Sequence, residues 1–206
     1  MPRETVRQVM VREVELKSVV DDVATRRRRI EAAGAQITFD GRLEDRRYDT
    51  ADRRLSAADE VLRLRAYSDG HGVRAALEWK GPTRQEDGYK VRDELSTNAS
   101  DSSTLAAILE RLGYSVIGEI DRHVIQYALD HAVVRFEQYP RMDALVEVEG
   151  PPPAIEHAIS ALGMRRDAFT AERLLAFVDR YEARTGLRAA LSDRQLASDN
   201  RAPTDV

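Results

Sequence analysis

Short runs in which apolar and charged residues alternate strictly limit the possible fold more than any other feature of this sequence. In residues 11–17, the clearest run, apolar residues at 14 and 16 separate three charged ones. Because successive side chains of a strand point to opposite faces, each run predicts a strand with one apolar and one charged face. The runs lie at residues 11–17, 61–66, 75–80, 90–95, 133–137 and 145–149.

Segments with apolar residues at helical spacing lie between and after these runs. We predict four helices, which begin at Asp21 or Asp22, at Ser102 or Ser103, at Pro152 or Pro153, and at Thr170. Each ends at a glycine, a common helix terminator. Less regular strands are predicted at residues 37–39, 42–48 and 118–127, and a frayed tail from Ser192 onward. Strands and helices together indicate an α+β fold.

Composition excludes several classes of protein. The 206 residues carry a net charge of −4 with 33% charged residues, whereas a nucleic-acid-binding protein is usually net basic. The absence of cysteine excludes disulfides and thiolate chemistry. There is no apolar run of about 18 residues that could span a membrane, and the first 15 residues have no apolar signal-peptide core. We therefore expect a cytoplasmic protein with no nucleic-acid or membrane partner.

The charged strand faces carry the functional information. A solvated sheet face would explain each of them singly, but such a face usually mixes Thr, Ser and Gln with the charges. Here the consecutive positions are almost all ionised residues of both signs. If the strands close into a barrel, these residues line its interior, where charges need partners or a ligand. A polyphosphate with a divalent metal suits such a cavity, because carboxylates hold the metal while Lys and Arg hold phosphate oxygens.

The few lysines support this interpretation. Only three of the 32 basic residues are lysine, namely Lys17, Lys80 and Lys90, and all three lie on charged strand faces. Lysine presents a compact point charge rather than the planar fork of arginine. Its retention at these positions indicates a specific geometry.

Several motifs occur in the order typical of one known family. Residues 13–17 (Glu-Val-Glu-Leu-Lys) match the pattern E-x-E-x-K. Residues 45–50 are similar to Q-x-D-x-Y-F-D-T (with Arg47 at an aromatic position), 62–65 to L-R-I-R, 79–82 to L/Y-K-G-P, 90–94 to K-x-R-E-E, and 147–149 to E-I-E. Through these motifs the sequence resembles the CYTH superfamily, or triphosphate tunnel metalloenzymes, over roughly residues 9–182.

This resemblance implies a closed eight-stranded antiparallel β tunnel with helices packed outside. It implies a single domain over residues 9–186, followed by a polar C-terminal tail at 187–206. It further implies a triphosphate-bearing small molecule as substrate and Mg²⁺ or Mn²⁺ as cofactor. The sequence does not indicate an oligomeric state.

The resemblance also implies roles for individual residues. The expected metal ligands are Glu13, Glu15, Glu137, Glu147 and Glu149. The expected substrate-binding residues are Lys17, Arg63, Arg65, Lys80, Lys90, Arg92, Arg122 and Arg135, and the first four of these are also expected to be catalytic. The alternative is that these cations form internal salt bridges with the same glutamates. For Glu78 and Glu94, structural pairing with Arg92 or Lys80 is an equally good explanation.

Besides Arg47, the sequence departs from the family pattern in three places. Residues 138–143 (Gln-Tyr-Pro-Arg-Met-Asp) replace the glycine-containing turn that the family usually has between its last two strands. Arg122-His123-Val124 stands where the family usually has K-x-R, so one cation is missing. Glu137 stands where an aspartate is usual, and its longer side chain could alter the metal preference.

The sequence is compatible with three functions. The leading hypothesis is metal-dependent hydrolysis of inorganic triphosphate, thiamine triphosphate or a nucleoside triphosphate. The first alternative is a class IV adenylyl cyclase, which converts ATP to cyclic AMP and pyrophosphate. The second is a non-catalytic module that binds polyphosphate or nucleotide.

Overall fold

The computed structural model describes residues 10–199, so the domain start predicted at residue 9 and tail residues 200–206 lie outside the described part. Its strands are β1 (Val11–Val19), β2 (Gln36–Thr50), β3 (Val61–Asp69), β4 (Gly72–Lys80), β5 (Arg84–Glu86), β6 (Tyr89–Ala99), β7 (Tyr114–Leu129), β8 (Ala132–Gln138) and β9 (Leu145–Glu149). Its helices are α1 (Val23–Ala32), α2 (Arg54–Ala57), α3 (Ser102–Arg111), α4 (Pro152–Leu162), α5 (Leu174–Thr185) and α6 (Asp193–Asp199), with a 3₁₀ turn at Arg166–Ala168.

Eight of the strands form a closed antiparallel barrel, which confirms the predicted tunnel fold. The hydrogen-bonded order is β1-β9-β8-β7-β2-β3-β4-β6, and β6 pairs with the first half of β1 to close the ring. The short β5 pairs with β6 outside the ring. Closure removes the exposed strand edges that an open sheet would present.

Alternation along each strand separates an ionic interior from an apolar exterior. On β8 and β9, for example, Val134, Phe136, Val146 and Val148 are fully buried outside the barrel. They form the main hydrophobic core together with buried residues of α4 such as Ile155. A smaller apolar cluster, which includes Leu64 of β3 and Leu109 of α3, lies under α3.

Helix caps agree only partly with the sequence predictions. Asp22 caps α1 by accepting a hydrogen bond from the backbone N–H of Thr25, as predicted. The second predicted cap is wrong by one residue, because Asp101, and not Ser102 or Ser103, caps α3. Two strands predicted at residues 37–39 and 42–48 are one long strand, β2, with an irregularity between Ile37 and Phe39.

The prediction that Thr170 caps the fourth helix is also wrong. The backbone of Thr170 instead extends the sheet, since it exchanges hydrogen bonds of 2.9 and 2.8 Å with Lys17 of β1. α5 therefore begins only at Leu174, after Arg173. This arrangement brings the start of α5 to one end of the barrel.

The C-terminal segment differs from the frayed tail predicted from Ser192. Ala190 and Ser192 are fully buried, and α6 follows them. The segment is tied to β7 at Asp121, whose N–H donates to the carbonyl of Leu191 at 2.8 Å. The buried carboxylate of Asp121 accepts the N–H of Asp193 at 3.1 Å and a guanidinium N–H of Arg46 at 2.7 Å. Residues 187–199 thus pack on the outside of the barrel, because β7 supplies partners that the polar composition did not reveal.

A leucine pair tests the assignment of the main core. Leu162 of α4 is fully buried, whereas Leu112, just after α3, is 67% exposed. We expect Leu162→Ala to lower the free energy of unfolding by about 2–5 kcal/mol, since it leaves a cavity. Leu112→Ala should change it by less than about 0.5 kcal/mol. Urea unfolding followed by circular dichroism measures both, and equal effects would contradict the assignment.

Candidate functional site

The closed barrel encloses a cavity of about 300 Å³ to which every strand of the ring contributes a charged side chain. The charged faces of the six predicted strands all meet in this one space. Every residue predicted from the sequence as a metal ligand or substrate-binding residue lines it. Their roles remain predictions, but their convergence on one enclosed site is a property of the fold.

The strand register explains this convergence on the β1 side. Glu15 lies directly opposite Glu149 on β9, and Lys17 lies opposite Glu147. On the other side of β1, Glu15 lies opposite Lys90 of β6. Antiparallel partners of this kind share a face of the sheet, so the motif glutamates and lysines of three strands come together.

Each predicted metal ligand on β1 and β9 pairs with a cation. Both carboxylate oxygens of Glu13 accept Lys80 Nζ at 2.8 Å, and Glu15 pairs with Lys90 and with Lys17 at 3.3 Å. Arg135 of β8 bridges Glu147 at 2.6 Å and Glu149 at 2.7 Å. These glutamates therefore form the internal salt bridges that were predicted as the alternative.

Asp45 of β2 organises the opposite wall. It is 1% exposed and accepts hydrogen bonds from Arg65 at 2.6 and 2.9 Å, from Arg122 at 3.0 Å and from Arg63 at 3.3 Å. Burial alone would raise the pKa of Asp45, but the three guanidinium charges outweigh it and hold this pKa well below its usual value. Asp45 thus fixes the positions of three predicted substrate-binding arginines.

The sequence motifs include Asp45, and Tyr139 falls in the segment that replaces the family's usual turn, but neither residue was predicted to have a role in the site. The Tyr139 hydroxyl donates to Glu137 Oε2 at 2.7 Å, while Arg122 Nε donates to Oε1 at 2.7 Å. Burial, together with the charge of Glu137, raises the pKa of Tyr139 well above its usual value, so the hydroxyl stays protonated. The available signal was its position two residues after Glu137, on the same face.

The structural pairing predicted for Glu78 and Glu94 can now be described. Glu94 pairs with Lys80, one of the two predicted partners, whereas Glu78 pairs with Arg63 instead. Arg92 instead donates to the backbone carbonyls of Gly81 at 2.6 Å and Asp59 at 2.8 Å. It lines the cavity, but its described hydrogen bonds hold the rim of the barrel together.

The cation that the family pattern leads one to expect near Arg122 is absent from β7. Arg122 faces the cavity, and its neighbours on the same face of β7 are Ile120 and Val124. Ile120 lines the cavity, while Val124 packs against Phe39 and Leu43 in an apolar cluster. The face of β7 beside Arg122 is therefore apolar on both sides.

The carboxylates have the chemistry that a hard divalent cation requires. Glu15 and Glu149 face each other across β1 and β9, an unfavourable pairing of like charges unless a cation intervenes. Burial raises the pKa of Glu149, and the charges of Glu13 and Glu147 add to this against the effect of Arg135. Within residues 10–199, no three acidic or histidine side chains form a ready-made cation site, because Lys and Arg hold the carboxylates apart. The donor set fits Mg²⁺ or Mn²⁺ once those pairs open.

Glu78 gives the cavity a measurable pH dependence. Burial opposes its ionised form, but the charges of Arg63 and Arg65 outweigh burial and lower the pKa of Glu78 to about 2. Since the pKa in the unfolded chain is about 4.3, this ionised group stabilises the fold above pH 5 and loses its effect as the pH falls toward 2. The stability advantage of the protein over Glu78→Gln should therefore shrink by about 1 kcal/mol between pH 7 and pH 3.5.

Urea unfolding at these two pH values tests the expectation. Glu110→Gln is the matched control, because Glu110 is exposed on α3 and loses the same charge. A difference between protein and Glu78→Gln that stays constant with pH would contradict the assigned ion pair.

Comparisons with known proteins agree with this architecture. The model of the CYTH domain matches residues 11–151. A "putative adenylate cyclase" from Vibrio parahaemolyticus superposes with a TM-score of 0.69 at 17% identity, covering 81% of this chain and 97% of that one. A protein from Pyrococcus horikoshii gives a TM-score of 0.67 at 21% identity, covering 79% and 96%.

A third structure is that of a "putative adenylyl cyclase" from Hippeastrum, described as revealing a dominant triphosphatase activity. Its TM-score is 0.58 at 14% identity, covering 89% of this chain and 99% of that one. No curated protein matches the chain. At these identities the likeness establishes the shared fold.

Among residues 10–199, no helix is long and apolar enough to cross a membrane.

Proposed function

Since the chain belongs to the CYTH domain family, we propose that it is a divalent-metal-dependent triphosphatase acting on a triphosphate-bearing small molecule inside the barrel. The observation that carries this proposal is the enclosed cavity in which buried carboxylates and cations are paired with one another. Such pairs can be exchanged, because phosphate oxygens replace the carboxylates on Lys and Arg, and the freed carboxylates accept a metal ion.

The two sides of the cavity have complementary tasks in this proposal. Glu13, Glu15, Glu147 and Glu149, with Glu137 from β8, would hold the metal, which neutralises phosphate charge and lowers the pKa of a bound water. Lys17, Lys80 and Lys90 pair with Glu147, Glu13 and Glu15, respectively. Arg63, Arg65 and Arg122, held by Asp45, would grip phosphate oxygens at fixed positions.

In the proposed hydrolysis, water attacks the terminal phosphorus and the bond from that phosphorus to the bridging oxygen breaks. The electron pair of this bond leaves with the diphosphate portion, whose growing negative charge the arginines and lysines neutralise. The protein contributes mainly position and charge, so no side-chain nucleophile is needed. Tyr139, which stays protonated, can keep Glu137 oriented while its other partners change.

Cyclisation of ATP is the second candidate, because two of the solved structures that share this fold are named as a "putative adenylate cyclase" and a "putative adenylyl cyclase". In that reaction the ribose 3′-hydroxyl attacks the α-phosphorus and pyrophosphate leaves. The attacked phosphorus is therefore different, and the ribose as well as the phosphates must be held. The ionic lining around the whole ring supports phosphate groups as the main guest, which favours hydrolysis.

An assay of products distinguishes the candidates. The protein is incubated with Mn²⁺ or Mg²⁺ and with inorganic triphosphate, thiamine triphosphate or ATP in separate reactions. Release of inorganic phosphate supports the triphosphatase. Formation of cyclic AMP and pyrophosphate from ATP would replace it with the cyclase. Tight triphosphate binding without any product over hours would overturn both and identify a binding module.

Removal of one proposed metal ligand should abolish metal-dependent turnover. We expect Glu149→Gln or Glu15→Gln to lower kcat/KM at least about 100-fold, because even residues that merely support metal ligands contribute 10- to 100-fold. Glu110→Gln, at the exposed site on α3, should leave it unchanged. Turnover is measured across a range of Mn²⁺ concentrations, and full activity of either cavity variant would count against the metal assignment.

A further inference from the structure

Arg47 of β2 is a cavity residue to which neither the sequence nor the proposed mechanism assigns a role. It lies one inward-facing position beyond Asp45, at about 7 Å along the strand. Its partners in register are Arg63 on β3 and Gly118 on β7. It occupies the motif position at which the resemblance leads one to expect an aromatic residue.

Among residues 10–199, Arg47 differs from the other cations of the cavity in having no hydrogen-bonding or ionic partner. Lys17, Lys80, Lys90, Arg63, Arg65, Arg122 and Arg135 pair with buried carboxylates, Arg92 bonds backbone carbonyls, and Arg173 pairs with Asp59 at 2.7 Å. A half-buried guanidinium without a partner has unsatisfied N–H donors and an uncompensated charge, so it is suited to binding an anion.

The side chain of Arg47 packs beside Gly118 of β7. A Cβ atom added at Gly118 would lie 3.9 Å from Cδ and 4.0 Å from Cβ of Arg47, so the arginine stem lies across this glycine. Ile120, next on the same face of β7, adds no charge. The guanidinium therefore has apolar or small neighbours on the β7 side.

Arg47 lies opposite Arg63 in the register and lines the same cavity as Arg92 and Arg173. Burial lowers the pKa of Arg47, and the positive charges of Arg63, Arg92 and Arg173 lower it further against the opposite effect of Asp45. Arg173, Leu174 and Leu175 bring the start of α5 to this end of the same cavity. A helix start favours negative charge, so it adds to the effect of the cations at this end, where Asp59 is the partner of Arg173.

We propose that Arg47, together with Arg63 and Arg173, forms a subsite at the α5 end of the cavity for the unsubstituted terminal phosphate of the guest. The subsite deepens the proposed function, since it rests on a phosphate chain as the guest. The inner phosphates would contact Arg65 and Arg122 beside Asp45, and the chain end would reach Arg47 and Arg63.

Binding of phosphate chains of two lengths tests the subsite. Isothermal titration calorimetry with inorganic triphosphate and with pyrophosphate, both in EDTA, measures binding without metal-dependent turnover. We expect Arg47→Gln to weaken triphosphate binding roughly tenfold, because it removes charge-assisted hydrogen bonds. The shorter pyrophosphate can bind among the inner arginines alone, so its affinity should change less than about twofold.

Two further variants serve as controls. Arg54→Gln removes the same charge from an exposed position on α2 and should leave both affinities unchanged. Arg47→Lys keeps the charge and should retain most of the triphosphate affinity, while circular dichroism checks that each variant is folded. Equal losses for the two phosphate chains, no loss at all, or a loss with Lys as large as with Gln would overturn the subsite.

The outcome is separable from that of the proposed function. If the protein hydrolyses triphosphate but Arg47→Gln binds it normally, the subsite fails and the triphosphatase stands. If the length-dependent loss occurs but no product forms in the presence of metal, the subsite stands and the triphosphatase fails.

Discussion

Most of the opposite charges inside the barrel neutralise one another, because ring closure shields them from bulk water, and Arg47 is an exception. Every strand of the ring contributes at least one ionised side chain to a cavity of about 300 Å³. Leaving one such charge without a partner costs several kcal/mol. The strand register limits this cost by setting Glu147 opposite Lys17 and Glu15 opposite Lys90. The apolar core outside the barrel stabilises the ring, whereas the charge pairs determine what the ring can contain.

Pairing of this kind also links stability with binding. The salt bridges hold the charges of the cavity in place, and each consists of groups that can also bind a phosphate or a metal. Asp45 holds its arginines at defined positions. Under the proposed function these arginines would reorganise little on binding, which favours electrostatic catalysis. The carboxylates of β1 and β9, in contrast, would have to exchange partners to accept a metal.

The sequence predicted those parts of the fold that depend on local patterns. Period-two alternation placed the strands and assigned Glu13, Arg63 and Lys80 to the charged face, because the direction of a side chain follows from its position in the strand. Partner choice could not be predicted, since it depends on which strands meet and in what register. Asp45 therefore received no role, although it contacts three arginines from two other strands. The predicted start of α5 was wrong for a related reason, because tertiary pairing of Thr170 with β1 overrode the capping preference of this residue.

The attachment of the C-terminal segment to Asp121 has a practical consequence for protein engineering. Asp121 lies between Ile120 and Arg122, two residues of the cavity wall. The C-terminal segment is therefore attached to the outside of β7 at the same point at which β7 lines the cavity. A chain shortened before Leu191 would lose the hydrogen bonds of Asp121 with Leu191 and Asp193, and the Asp121 carboxylate would keep only its arginine neighbours Arg46 and Arg42. Such a C-terminal deletion would consequently weaken the support of the β7 segment that carries Arg122. Loss of activity in the shortened protein would then reflect a structural change and not the removal of a reactive group.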